Sequence, residues 1–269
     1  MVTLAYLESG LRKCIWLAAC AWLICGSAQA DDNLDDLLAR TSQQTSLFLE
    51  QFSEVKCTEK VTQEKLNKDG KVERDAESTY DYLVILSNSG GELSLNESRL
   101  AQRETKSGKQ KTPLLVTNGF ATLFLVFHPY YAGSFQFTAM DDSPINGHRM
   151  RTVGFEHIRG KRSPAALSLR GREYPLELSG RAWIDPQSGS IAKIVATIGN
   201  SMEDVGLKTL DSEVEYAPVP FRSLPNTYWF PAKATVEVGT PRQHWRNTHV
   251  FSDFKLFSVS TEEKVADSK

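Results

Sequence analysis

The chain has 269 residues, and its 31 basic and 33 acidic side chains leave a net charge of −2, a balance that excludes a general nucleic-acid binder. Three of the four cysteines, Cys14, Cys20 and Cys25, fall within the first 30 residues. A chain cleaved after residue 30 keeps only Cys57, which excludes an internal disulfide, a dithiol redox pair and a multi-cysteine metal site.

Residues 1–30 have the layout of a secretory signal: Arg12-Lys13, an apolar run from Cys14 to Gly26, and Ala28-Gln29-Ala30 before Asp31. The apolar run covers roughly 20 Å as a helix, short of the 30 Å hydrocarbon core, so the sequence predicts export and cleavage rather than a permanent span. Leu17-Ala18-Ala19-Cys20 also resembles a lipobox, which leaves a form lipid-anchored through Cys20 as the alternative to a periplasmic one. The expected organisation is a signal at 1–30, one domain at 31–258 and a polar tail at 259–269.

From Asp31 to about Phe52, the spacing of Leu34, Leu37, Leu38, Leu47, Phe48 and Phe52 suits an amphipathic helix whose first aspartates complement its dipole. A long polar hairpin follows, from Val55 to about Lys65 and from Lys71 to Leu86, turning at Lys68-Asp69-Gly70. Gly90-Gly91 leads into a strand over Glu92–Leu100, and Lys106–Thr112 reads as an exposed loop. Asn118–His128 is the most apolar segment after residue 30, stopped by Pro129, and the run from Gly119 to Phe127 reads as a short helix with Asn118 as N-cap. Such a helix either fills the core or lines a hydrophobic cavity, with Tyr130 and Tyr131 extending the wall.

The rest of the chain reads as antiparallel β. Ser134–Met140 and Met150–His157 are strands on either side of a turn-rich loop, Asp141–Gly147. Arg181–Ala196 is the clearest hairpin. Its turn is Asp185-Pro186-Gln187-Ser188-Gly189, and Ala192, Ile194, Ala196 and Ile198 alternate with Lys193 and Thr197 on the outgoing arm. Leu210–Tyr216 alternates in the same way, with Pro218 and Pro220 ending the strand. Tyr228-Trp-Phe-Pro231 enters another strand, and Trp245–Phe257 is the last.

Gly180-Arg-Ala-Trp-Ile-Asp-Pro-Gln-Ser-Gly189, the strand Ile191–Ile198, Glu213-Val-Glu-Tyr216 and Tyr228-Trp-Phe-Pro231 occur in an order that resembles the outer-membrane lipoprotein-sorting (LolA/LolB-like) group of exported bacterial proteins. The resemblance spans about residues 178–257 and is closer to uncharacterised exported relatives than to a true lipoprotein carrier. It implies an incomplete β-barrel, a curved sheet with an N-terminal helix and a short apolar helix on its concave side, holding lipid or acyl chains. His148–Pro175 and Gln243–His249 have no counterpart in that pattern.

On this reading the fold class is mainly antiparallel β (α+β). The expected function is that of a non-enzymatic envelope protein binding a hydrophobic ligand, with an envelope scaffold or protein-interaction domain as the alternative. Cavity candidates are Phe120, Leu123, Phe124, Phe127, Tyr130, Tyr131, Trp183 and Trp229. Candidates for an anionic headgroup are Arg149, Arg151, Arg159, Arg162, Arg170 and Arg172, since Arg offers bidentate contacts to phosphate.

No catalytic residue, cofactor or metal is expected. The chain has no Gly-x-Ser-x-Gly or His-Glu-x-x-His motif and no phosphate loop, and its three Ser-x-x-Lys matches lack the companion motifs of that chemistry. His244 and His249, five apart on a strand, project to opposite faces about 17 Å apart along the chain, too far to converge on one ion.

Overall fold

The computed structural model describes residues 33–89, 92–102, 119, 121–169, 172–221 and 227–256. The predicted signal, the Gly90-Gly91 turn, the Lys106–Thr112 loop, Asn118, Phe120, Arg170 and the C-terminal tail therefore lie outside the described residues. By internal contacts the chain divides after Asn33, and the elements below all belong to the second unit.

Helix α1 (Leu34–Ser53) begins with Asp35 and Asp36 in its first turn. Its buried line runs through Leu37, Thr41, Thr45, Leu49 and Phe52. The two threonines enter that line because their hydroxyls donate back to the helix, Thr41 to the Leu37 carbonyl at 2.9 Å and Thr45 to the Ser42 carbonyl at 2.9 Å.

Among the described residues ten strands form one antiparallel sheet that curves without closing. Strands β1 (Val55–Leu66), β2 (Val72–Ser89) and β3 (Glu92–Ala101) make the first meander. Next come β4 (Phe135–Ile145), β5 (His148–His157), a small separate hairpin of β6 (Ala166–Leu169) and β7 (Arg172–Pro175), β8 (Leu178–Ile184) and β9 (Ile191–Ile198). Strands β10 (Thr209–Pro220), β11 (Thr227–Gly239) and β12 (His244–Leu256) complete the set, in the spatial order β3-β2-β1-β12-β11-β10-β9-β8-β5-β4. Period-two alternation turns one row of each strand inward: Val55, Cys57, Glu59 and Val61 on β1, Leu210, Ser212, Val214 and Tyr216 on β10, and Asn247, His249 and Phe251 on β12. Helix α1 packs on this inner face, where Phe52 meets Tyr82 and stacks on Phe230 at 5.4 Å.

Several boundaries differ from the sequence expectation for identifiable reasons. The apolar run is a 3-10 turn over Leu123–Phe127, followed by a single α turn, α2 (Pro129–Ala132). The helix stays short because Pro129 cannot donate to a preceding carbonyl. Proline instead starts the next turn, capped by His128, whose Nδ1 accepts from the Tyr130 amide at 3.1 Å. Strand β4 runs through Asp141–Ile145 rather than ending in a loop. A register irregularity between Met140 and Ser143 absorbs the extra residues, and Asn146 and Gly147, at φ 50° and 81°, make a two-residue reversal. Strand β10 continues through Pro218 and Pro220 because β9 pairs it only over Asp211–Glu215. Beyond that point, among the described residues, no strand pairs with one side of β10, where a missing N–H costs little.

The Asp185–Gly189 turn has the predicted chemistry. The Asp185 carboxylate accepts from the amides of Gln187 at 3.0 Å and Ser188 at 2.7 Å, and Gly189 has φ 74°. A Cβ at Gly189 would also lie 2.8 Å from the backbone of Arg40, so the turn is pressed against α1. Arg40 fastens the contact by donating to the Pro186 carbonyl at 2.9 Å. Gly180 of β8 faces inward under Phe155, and a Cβ there would overlap the Val195 carbonyl, so this pair of strands approaches more closely than a side chain would permit.

Candidate functional site

Docking the turn onto α1 leaves a cavity of about 420 Å³ at this end of the sheet. One wall is a helix stripe, Gln44, Leu47, Phe48 and Gln51, at i, i+3, i+4 and i+7. Facing it are Ser188, Gly189, Ser190 and Ile191 from the hairpin, together with Tyr216, Tyr228 and Trp229 from β10 and β11. Phe124 contributes from the 3-10 turn, its ring edge-on to Phe48 with centroids 4.3 Å apart. The volume falls near the low end of the range for small-molecule pockets, and the lining combines aromatic and aliphatic surface with a few neutral polar groups.

Tyr216 sets the position of Phe124. Its hydroxyl accepts from the Phe124 amide at 3.3 Å and donates to the Ala121 carbonyl at 3.4 Å, which pins the turn from β10. Burial pushes the Tyr216 phenol well above its ordinary pKa, so it remains a neutral donor and acceptor.

Of the expected cavity residues that are described, the structure brings Phe124 and Trp229 to this cavity. Leu123 and Phe127 are buried in the packed interior, where Phe127 meets Phe137 at 5.1 Å and Phe155 at 6.0 Å. Tyr130 and Tyr131 pack edge-on to each other at 4.8 Å, with Arg162 over the Tyr130 ring at 4.0 Å. Trp183 is on the opposite face of the sheet: its indole N–H donates to Ser143 at 2.6 Å, and Arg181 and Lys193 flank its ring. Alternation accounts for this, since Ala182 and Ile184 beside it take the inward positions.

Among the described residues the arginine candidates do not converge. Arg149 and Arg151 share Asp142, at 2.9 and 3.2 Å. Arg159, beyond the other end of β5, pairs with Glu177 at 3.2 Å, and Arg172 is exposed on β7. Arg149 and Arg151 lie in the first half of β5, and the six strand residues after Arg151 carry the chain roughly 20 Å before Arg159 and Arg162.

A buried ionic cluster escaped the sequence reading. Glu59 on β1 is fully buried, yet it accepts from Arg99 at 2.5 and 2.9 Å and lies 2.8 Å from Nδ1 of His249. Arg99 also pairs with Glu97 at 3.0 Å, and its guanidinium lies 5.2 Å from the centre of the Tyr82 ring. The other oxygen of Glu97 accepts from the Gly119 amide at 2.9 Å, so the cluster ties β1, β12 and the edge strand β3 to the start of the apolar segment. In sequence Arg99 falls within the strand Glu92–Leu100, and His249 is weighed only as a metal ligand. The available signal was Glu59 itself, placed in the inward row with Val55, Cys57 and Val61. His244 takes the other face, 3.2 Å from Glu237.

A second depression, of about 470 Å³, runs along the outer face over β8–β11. Its side chains include Thr197, Asp211, Glu213, Thr235 and Glu237, without the aromatic wall of the inner cavity. Among the described residues no group of three or more His, Cys, Asp or Glu is placed to hold a metal, and no helix is long and apolar enough to cross a membrane.

No family model matches the chain, and no curated protein matches it. Solved structures similar to it include a DUF1329 family protein from Desulfovibrio piger, at 10% identity and TM-score 0.43, covering 82% of this chain and 90% of that one. Another is an outer membrane lipoprotein-sorting protein domain from Vibrio parahaemolyticus, at 11% identity and TM-score 0.40, covering 86% and 96%. A LolA superfamily protein from Nitrosomonas europaea is similar at 10% identity and TM-score 0.37, covering 83% and 94%. The lipoprotein-sorting and LolA groups that the hairpin sequence resembles thus stand among the structural neighbours, at low sequence identity.

Proposed function

We propose that this is an exported, non-enzymatic protein of the bacterial envelope that binds a hydrophobic ligand, a lipid or acyl chain, between α1 and the curved sheet. The observation that carries the reading is the 420 Å³ cavity walled by Leu47, Phe48, Phe124, Ile191 and Trp229. Export follows from the signal layout of residues 1–30, with a periplasmic form after cleavage and a form anchored through Cys20 as its alternative. A ten-carbon chain buried there would gain roughly 8 kcal/mol gross, at about 0.8 kcal/mol per CH₂, before ordering costs. A bilayer offers nearly the same burial, so selective capture depends on the polar groups around the chain.

The test is native mass spectrometry of the protein purified from its own envelope under gentle conditions. The expected result is a bound species that disappears on organic extraction and returns on adding lipid. An unliganded protein that also takes up no amphiphile would refute the reading.

One observation favours a second reading, an envelope scaffold or interaction domain. Leu123–Phe127 belong to the packed core, none of them more than 4% exposed, so this part of the interior is filled without a ligand. Crosslinking in intact cells that returned one recurring protein partner, with no bound lipid, would select this alternative.

A further inference from the structure

The polar groups of the cavity suggest which amphiphile it takes. On the α1 stripe, Gln44 and Gln51 bracket Leu47 and Phe48, and Ser190 faces them from the hairpin. Each glutamine amide offers two donors and an acceptor oxygen, and the serine hydroxyl offers both functions. All three are neutral. Ser188 is committed to the turn, donating to Asp185 at 2.9 Å and accepting from the Ser190 amide at 3.2 Å. The charged side chains of this region are bonded into the same turn, Asp185 to its backbone amides and Arg40 to the Pro186 carbonyl.

We infer that the cavity selects a neutral amphiphile, one medium-length hydrocarbon chain ending in an uncharged amide, ester or hydroxyl head. This rests on the cavity being the ligand site. The chain lies on Leu47, Phe48, Phe124 and Trp229, and the head exchanges its water hydrogen bonds for those of Gln44, Gln51 and Ser190. A carboxylate or ammonium head would give up more hydration on entry and would meet only neutral dipoles in return. Arg149, Arg151 and Arg159 play no part, since the first two are held by Asp142 and the third by Glu177.

Three probes with one chain and different heads separate the possibilities: decanamide, decanoate and decylammonium, titrated calorimetrically into the delipidated mature protein. At pH 8 decanamide should bind at least about tenfold more tightly than either ion. At pH 4, where decanoic acid is protonated, its affinity should rise toward that of the amide. Gln51→Lys should reverse the order at pH 8 by supplying a cation to decanoate, and Gln44→Leu with Gln51→Leu should abolish the preference for the amide. Decanoate binding as tightly as decanamide at pH 8 would overturn the headgroup inference and leave the hydrophobic site standing. If none of the three bound, the cavity reading would fall as well.

Discussion

Glu59 and His249 meet at 2.8 Å across the β1–β12 pair, inside the sheet, with Arg99 closing the other side of the carboxylate. Burial alone would raise the Glu59 carboxyl pKa. Hydrogen bonds from His249 and Arg99 outweigh it and hold the group below its ordinary 4.5. A folded-state pKa below the unfolded value gives stability that is present above the unfolded value and is lost as pH falls through the folded one. Glu59→Gln removes one of the two carboxylates that pair with Arg99, leaving Glu97, and should cost about 2–3 kcal/mol at pH 7. In urea titrations the gap between variant and parent should narrow steadily below about pH 4.5. A gap that stayed constant from pH 7 to pH 3 would mean that the ionised form of Glu59 contributes nothing to the fold.

Cys57 lies two residues before Glu59 in the same inward row. Burial, reinforced by the negative charge of Glu59, pushes its thiol up to about 12. At pH 8 the native protein should therefore show almost no thiolate and react with a disulfide reagent only as fast as it unfolds. One thiol per mature chain should become reactive in denaturant. Rapid labelling of the folded protein would contradict the burial of β1.

These two residues mark where sequence reading stops. Period-two alternation made β9 and β10 readable at once, because Ile194, Val214 and their neighbours face inward between charged residues that face solvent. Glu59 breaks that rule, since a carboxylate in an alternating strand reads as outward-facing, and its partners are 40 and 190 residues away. The all-round apolar character of Leu123–Phe127 announced burial correctly but carried no information on whether the backbone was α or 3-10. The cavity was less legible still. It arises where the α1 stripe meets the Ser188–Ile191 hairpin, and no local pattern encodes a gap between distant elements. Trp183, a cavity candidate by its size, lies on the outer face beside Lys193 and donates to Ser143, because strand alternation and not side-chain size decides which face a residue takes.

Gly189 is required twice, by its φ of 74° and by the Arg40 backbone that a Cβ would approach to 2.8 Å. Gly189→Ala should destabilise by about 1–3 kcal/mol, from backbone strain and from separating the turn from α1. Gly147 has a comparable φ of 81° but open space around it, so Gly147→Ala isolates the strain alone and should cost less. Thermal melts of the two variants side by side make the comparison. Only Gly189→Ala should also weaken ligand binding, because only that turn forms a wall of the cavity.

Leu47 separates binding from folding. It lines the cavity and is still 42% exposed, so the core depends little on it. Leu47→Lys should change stability by no more than about 0.5 kcal/mol in either direction, as expected of a surface substitution. It should weaken binding of a neutral ten-carbon amphiphile by roughly tenfold, because the lost apolar contact is about half of a leucine side chain, on the order of 1.4 kcal/mol. The effect should differ by headgroup: a lysine at the rim penalises decylammonium most and decanoate least, since the new cation repels one and attracts the other. Equal losses for all three probes would show that the substitution removes only apolar contact, with the head far from Leu47. Unchanged binding for all three would move the ligand away from the α1 wall altogether.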